Sequence, residues 1–188
     1  MGCQLATLTH GHSSGYLSAG AFATIIQHLT SGKDLESAIT GSLSLLCAYP
    51  GHEETLHAIA AAVDLFHQTE ARVQAGTLNL ADQIAKLGQG WVGEEALAIS
   101  LFCSLHHEHN FRNGVLASVN HSGDSDSTGS ITGNILGLIN GIESIPEKWI
   151  SHLRSASIVL QVGKDLHTGC KGDMDEPDAE WWRKYPVY

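Results

Sequence analysis

"VNHSGDSDSTGSITGNILG" runs from Val119 to Gly137. It sets Asp124 and Asp126 one residue apart, among glycines, serines and a threonine, directly ahead of an apolar pattern at helical spacing. Ile131, Ile135, Leu138, Ile139 and Ile142 carry that pattern, which predicts a helix from about Thr128 to Ile142. Gly129, Gly133, Gly137 and Gly141 repeat at steps of four along it. A glycine inside a helix costs about 1 kcal/mol relative to alanine. A side-chain-free stripe lets another helix backbone come close, so the stripe predicts a central, buried helix whose N-terminus also lies deep. Gly133→Leu or Gly137→Leu is then expected to wreck folding.

The two aspartates have two readings. One carboxylate at a helix N-terminus is stabilised by the unpaired N–H groups and the helix dipole, as an ordinary cap. Two carboxylates together near a buried terminus repel each other and are penalised by desolvation. A cation relieves both penalties. Asp124, Asp126 and the Ser127 hydroxyl are hard oxygen ligands, suited to Mg²⁺, Mn²⁺ or Ca²⁺ rather than zinc. An EF-hand loop fits the early positions but fails at the twelfth, where Ile135 stands in place of a bidentate glutamate. Spacing alone leaves cap and metal site both open.

Outward from this stretch, nearly every segment reads as helix. "YLSAGAFATIIQHLTSG" ends at Gly32. Asp34 is a candidate N-cap for the next helix, and Pro50 follows its end. From Glu53 to Ala75, Leu56, Ile59, Val63, Phe66 and Val73 form one stripe. "NLADQIAKLG" starts on Asn79 as cap and stops at Gly88. "GEEALAISLFCSL" places Leu97, Leu101 and Leu105 at steps of four. "FRNGVLASVN" is short and apolar. "IPEKWISHLRSASIVLQVGKDL" reads as one helix, with Pro146 in its first turn. No strand-like alternation and no internal repeat stands out. The fold class is all-α.

Composition agrees with a globular core. The 188 residues fit one domain or part of one, with 43% hydrophobic and 16% charged residues. A net charge of −10 excludes a sequence-independent nucleic-acid binder and offers no basic patch to a membrane. No apolar run is long enough to span a bilayer, and no secretory signal is evident. "MGC" resembles an acylation signal, but Ala6 stands where Ser or Thr is required. Cys3, Cys47, Cys103 and Cys170 are isolated, as in a reduced, cytoplasmic protein. His106, His107 and His109 lack zinc-site spacing and read as a polar helix end. The tail from about 167 to 188 is acidic, then aromatic. Its carboxylates read as a solvated linker, with Trp181, Trp182 and Tyr185 as surface anchors.

"VNHSGDSDSTGSITGNILG" followed by "IPEKW" resembles the C-terminal signature of the ADP-ribosylglycohydrolase family. "LATLTHGHSSGYLSAGAFA" is similar to the family's Thr-His segment and following helix. "LGQGWVGEEALAISLFC" is similar to its segment on the adenine side of the cleft. Order and spacing agree up to Asp165. The resemblance implies a compact, orthogonal multi-helix domain over residues 1–166. It also implies hydrolysis of the glycosidic bond between ADP-ribose and a protein side chain, at two divalent ions, Mg²⁺ or Mn²⁺. By matching position, Asp124, Asp126 and Ser127 are metal ligands, His10 faces the ADP-ribose and Trp91 stacks on adenine. The partners implied are an ADP-ribosylated protein or a small ADP-ribosyl compound.

Family members also carry an N-terminal helical portion with a Thr-Asp-Asp ligand set and the acidic catalytic residue. No Thr-Asp-Asp occurs in these 188 residues. The expectation is a chain that supplies the C-terminal half of a dinuclear site and shows little activity alone. The alternative is a non-catalytic module that binds ADP-ribose or protein. A rival enzyme pattern, GxSxG at Gly11, Ser13 and Gly15, makes Ser13 a nucleophile only if a strand and a parallel sheet lie beneath it.

Overall fold

The computed structural model describes residues 1–169 and 183–185. Among them are ten α-helices, one 3₁₀ turn and no strand, so the all-α class holds. Without a strand the GxSxG reading fails. The chain divides into two compact units, Met1–Ile145 and Pro146–Tyr188.

In the first unit the helices are α1 (Gly2–Ala6), α2 (Ser13–Thr30), α3 (Leu35–Leu46), α4 (Glu53–Gln74), α5 (Leu80–Ile84), α6 (Gly93–His106), α7 (Phe111–Val119) and α8 (Ser125–Asn140). A 3₁₀ turn, Ile142–Ser144, follows. The starts of α3 and α5 are set by their caps. Asp34 Oδ1 accepts from the Ser37 N–H at 2.8 Å, and Asn79 Oδ1 accepts from the Ala81 N–H at 3.1 Å. Helix α4 buries Ile59, Ala62, Leu65 and Phe66, with Leu56 and Val63 packed partly against them.

The central helix is α6, a correction to the expectation that the glycine-striped helix would be. Eleven of its fourteen residues are buried, and α2, α4, α7 and α8 pack around it. The stretch "ALAISLFCSL", Ala96 to Leu105, carries no charge on any face. A helix apolar all round belongs inside. Helix α8 instead buries one face through Thr128, Thr132, Ile135 and Leu136.

The stripe also divides. A Cβ on Gly129 would press on Val119 Cγ1, one on Gly137 would make ordinary contact with Phe111, and one on Gly133 would meet nothing within 4 Å. Only Gly129, against the Val119 end of α7, stands where a side chain would collide, so the stripe is not a continuous close-approach surface. Gly141, at φ 77°, ends the helix. Gly133→Leu is therefore not expected to wreck folding.

In the second unit the single helix read from Pro146 onward is two. Pro146 caps α9 (Glu147–His152), and α10 (Ala156–Gly169) follows after the break at residues 153–155. The Tyr185 hydroxyl donates to Asp165 Oδ2 at 2.6 Å, and Lys184 pairs with the same oxygen. The anchoring expected of Trp181 and Trp182 lies outside the described residues. No helix among the described residues is long and apolar enough to cross a membrane.

Candidate functional site

Asp124 is the N-cap of α8. Its carboxylate holds the Ser127 N–H only loosely, at 3.4 Å. Its own N–H makes a firmer bond, donating to the Gln89 carbonyl at 2.7 Å. The Asp126 carboxyl lies beside the Asp124 carboxyl. The Asp126 side chain, then Ser127, keeps Asp124 below its ordinary carboxylate value. Asp126 is exposed, and Asp124 and Ser127 are half-buried.

Three interactions hold this turn. Gly123 packs on the Gln89 carbonyl so closely that any Cβ would collide with it. His121 Nδ1 accepts the Gly123 N–H at 3.1 Å, which puts the neutral ring's proton on Nε2, 3.1 Å from Thr128 Oγ1. From beneath, the buried Ser100 hydroxyl of α6 shares its one proton between the Ala96 carbonyl at 2.7 Å and the Thr128 carbonyl at 3.1 Å. The central helix thus fixes the first turn of α8.

The facing loop, Gly88 to Trp91, is shaped by two glycines at positive φ, Gly88 at 113° and Gly90 at 81°. Glu95 Oε2 accepts the N–H groups of Gln89 at 2.9 Å and Gly90 at 3.0 Å. Trp91 stands out at 67% exposure, its indole N–H donating to Gln89 Oε1 at 3.0 Å. A cleft of about 630 Å³ adjoins, lined in part by Asp82, Gln89, Asn120, His121 and Ser122.

The structure thus brings Asp124, Asp126 and Ser127 together and joins them to the Trp91 loop through Gln89. His10 is exposed in the turn before α2, with Nδ1 2.8 Å from Thr9 Oγ1 and its ring against Gly15. No hydrogen bond among the described residues links it to the Asp124 turn. Sequence reasoning missed Gln89, Glu95, His121 and Gly123. Gly88 marks the end of the preceding helix, but nothing local marks the residue from α6 that holds the loop after it.

As a ligand set, two adjoining carboxylates and a hydroxyl have the donor chemistry of a hard divalent cation. Three such groups are fewer than the roughly six oxygens that Mg²⁺ takes. No group of three or more His, Cys, Asp or Glu able to hold a metal occurs among the described residues. The histidines at the far end of α6 are used otherwise. His106 packs edge-on to Phe66 and Phe102, and burial, then its neighbour His107, lowers its pKa to about 4.

Fold and site together define an all-helical protein with an acidic helix start joined to an aromatic loop. The family model for ADP-ribosylglycohydrolase matches residues 1–176, and the chain belongs to that family. The family comprises hydrolases of ADP-ribosylated substrates and is generally metal-dependent. No curated protein and no solved structure matches the chain.

Proposed function

We propose that this chain contributes one half of a dinuclear Mg²⁺ or Mn²⁺ site that cleaves the bond between ADP-ribose and a protein side chain. The observation that carries the reading is the Asp124–Asp126 carboxyl pair at the start of α8, joined by a 2.7 Å backbone bond to the loop that presents Trp91. Asp124, Asp126 and Ser127 hold the cation side. The exposed indole of Trp91 stacks on adenine, worth about 1–3 kcal/mol for a base on an aromatic ring. His10 contacts the ADP-ribose. Bound divalent ions supply charge stabilisation and a positioned water for cleavage at the anomeric carbon. Mg²⁺ takes about six oxygen ligands, so protein outside these 188 residues, or water, completes the sphere. The general acid or base comes from the same Thr-Asp-Asp-bearing portion. The setting is the cytoplasm.

The test assays the 188-residue chain against ADP-ribosylated arginine and serine peptides with Mg²⁺ or Mn²⁺, beside a form extended by a Thr-Asp-Asp-bearing portion. Little or no release of ADP-ribose is expected from the chain alone. In the extended form, positioned proton transfer alone adds about 10²–10⁴-fold. Comparable turnover by both would overturn the half-site reading. Binding of ADP-ribose without turnover in either form would favour the non-catalytic module, a reading supported by the short ligand list in this chain.

A further inference from the structure

We infer that Gln89 is a positioning residue that couples the cation-binding turn to the Trp91 platform, with Glu95 holding Gln89 in place. This rests on the reading of Asp124 and Asp126 as cation ligands.

Three polar groups of Gln89 have separate uses. Its N–H donates to Glu95 Oε2 at 2.9 Å. Its carbonyl accepts the Asp124 N–H at 2.7 Å. Its side-chain oxygen accepts the Trp91 indole N–H at 3.0 Å. One residue thus carries the first link of the acidic turn and the hydrogen bond that orients the indole. Trp91 is largely exposed, so little packing competes with that bond.

The surroundings leave Gln89 little room to move alone. Gly88 sits against the Glu95 carboxylate, and Gly123 sits against the Gln89 carbonyl. A Cβ on Gly90 would come within 3.1 Å of Thr128 Cγ2, so the loop also rests on the first turn of α8. Glu95 belongs to α6, the most buried helix. A cation that draws Asp124 and Asp126 together shifts the Asp124 amide, and with it the Gln89 carbonyl. The residue can yield only by turning, and its side chain turns with it. Cation binding and the orientation of Trp91 therefore change together. By reciprocity of linkage, a base stacked on Trp91 changes the cation affinity by the same factor by which the cation changes base binding.

The test follows the ¹⁵N-labelled 188-residue chain by NMR while Mg²⁺ alone is titrated. In the parent, the Asp124–Ser127 amides and the Trp91 indole N–H are expected to shift with one apparent Kd. In Gln89→Ala the carbonyl link remains and the exposed side chain is gone, so the amides still shift while the indole does not respond. Glu95→Ala is expected to weaken the indole response and lower Tm. Glu95→Gln keeps an acceptor oxygen and restores the response. A residue that only supports the fold would change Tm and leave the indole response intact. Two outcomes overturn the inference and spare the cation site: amides that shift while the parent indole stays still, or a Gln89→Ala indole that still follows Mg²⁺. If no amide of the turn shifts in the parent, the cation reading itself has failed, and the inference with it.

Discussion

Helices α3 and α8 begin with nearly the same words. "DLES" opens α3 at Asp34 and "DSDS" opens α8 at Asp124. Each has an aspartate N-cap, an acid two residues on and a serine three residues on. In α3 the cap is closed, with both the N–H and the hydroxyl of Ser37 donating to the Asp34 carboxylate at 2.8 Å. In α8 the equivalent N–H stands 3.4 Å away, and the carboxylate has Asp126 for a neighbour. Asp34 uses its side chain to start a helix. Asp124 is also gripped through its main chain, by Gln89, while its side chain keeps a longer cap bond and has Asp126 beside it. Local sequence does not separate the two helix starts. The long-range grip on the Asp124 backbone does.

The largest expected effect breaks that grip. Gly123→Val places a branched side chain where even a Cβ collides with the Gln89 carbonyl. A cost of about 1–3 kcal/mol is expected, as for overpacking against backbone, with loss of any cation response. Thermal melts with and without Mg²⁺ check both. A next, smaller effect compares the two caps in EDTA. Asp34→Ala should lower Tm measurably, since it removes both bonds from Ser37. Asp124→Ala should lower Tm less than Asp34→Ala does, because its cap bond is the longer one. Equal losses would show that Asp124 is an ordinary cap.

The body of α8 is expected to be indifferent where its start is not. A Cβ on Gly133 meets nothing, so Gly133→Ala should be neutral or stabilising by up to about 1 kcal/mol. A clear drop in Tm would restore the close helix approach that the stripe suggested.

Acid separates the caps from the histidine end of α6. The folded pKa of His106 is lowered to about 4 from 6.5. The unfolded chain therefore takes up that proton first, and the contribution of His106 is complete above pH 6.5 and lost as pH falls from 6.5 towards 4. Asp34 and Asp124 are lowered from 3.8, the first by Ser37 and the second by Asp126, so their contributions stand above 3.8 and go only at lower pH. His106→Phe should make the stability profile less steep between pH 6.5 and 4, the remaining slope belonging to the half-buried His107, and leave the more acid limb, which Asp34→Asn reduces. Denaturant melts at stepped pH read this out.

Much of the fold was legible because its signals are local. The caps Asp34 and Asn79, the stripe of α4 and the absence of strand alternation each need only a few consecutive residues. The acid pair at Asp124 and Asp126 was legible for the same reason. The placing of α6 at the centre needed attention to a run without charge rather than to glycine spacing. The break before α10 has no proline or glycine to mark it. The Gln89–Asp124 and Glu95–Gly90 bonds depend on how distant segments meet, and no spacing announces them. What ties the site together was therefore hidden, while its end points were visible.

The most direct test of the account is the Mg²⁺- or Mn²⁺-dependent thermal shift of the chain and of two matched variants, Asp126→Asn in α8 and Glu36→Gln in α3. Each removes the acid two residues after the cap. The account expects the shift to vanish in Asp126→Asn and to stay at the parental value in Glu36→Gln. A parental shift in Asp126→Asn would contradict it, and the start of α8 would then be a cap of the same kind as the start of α3.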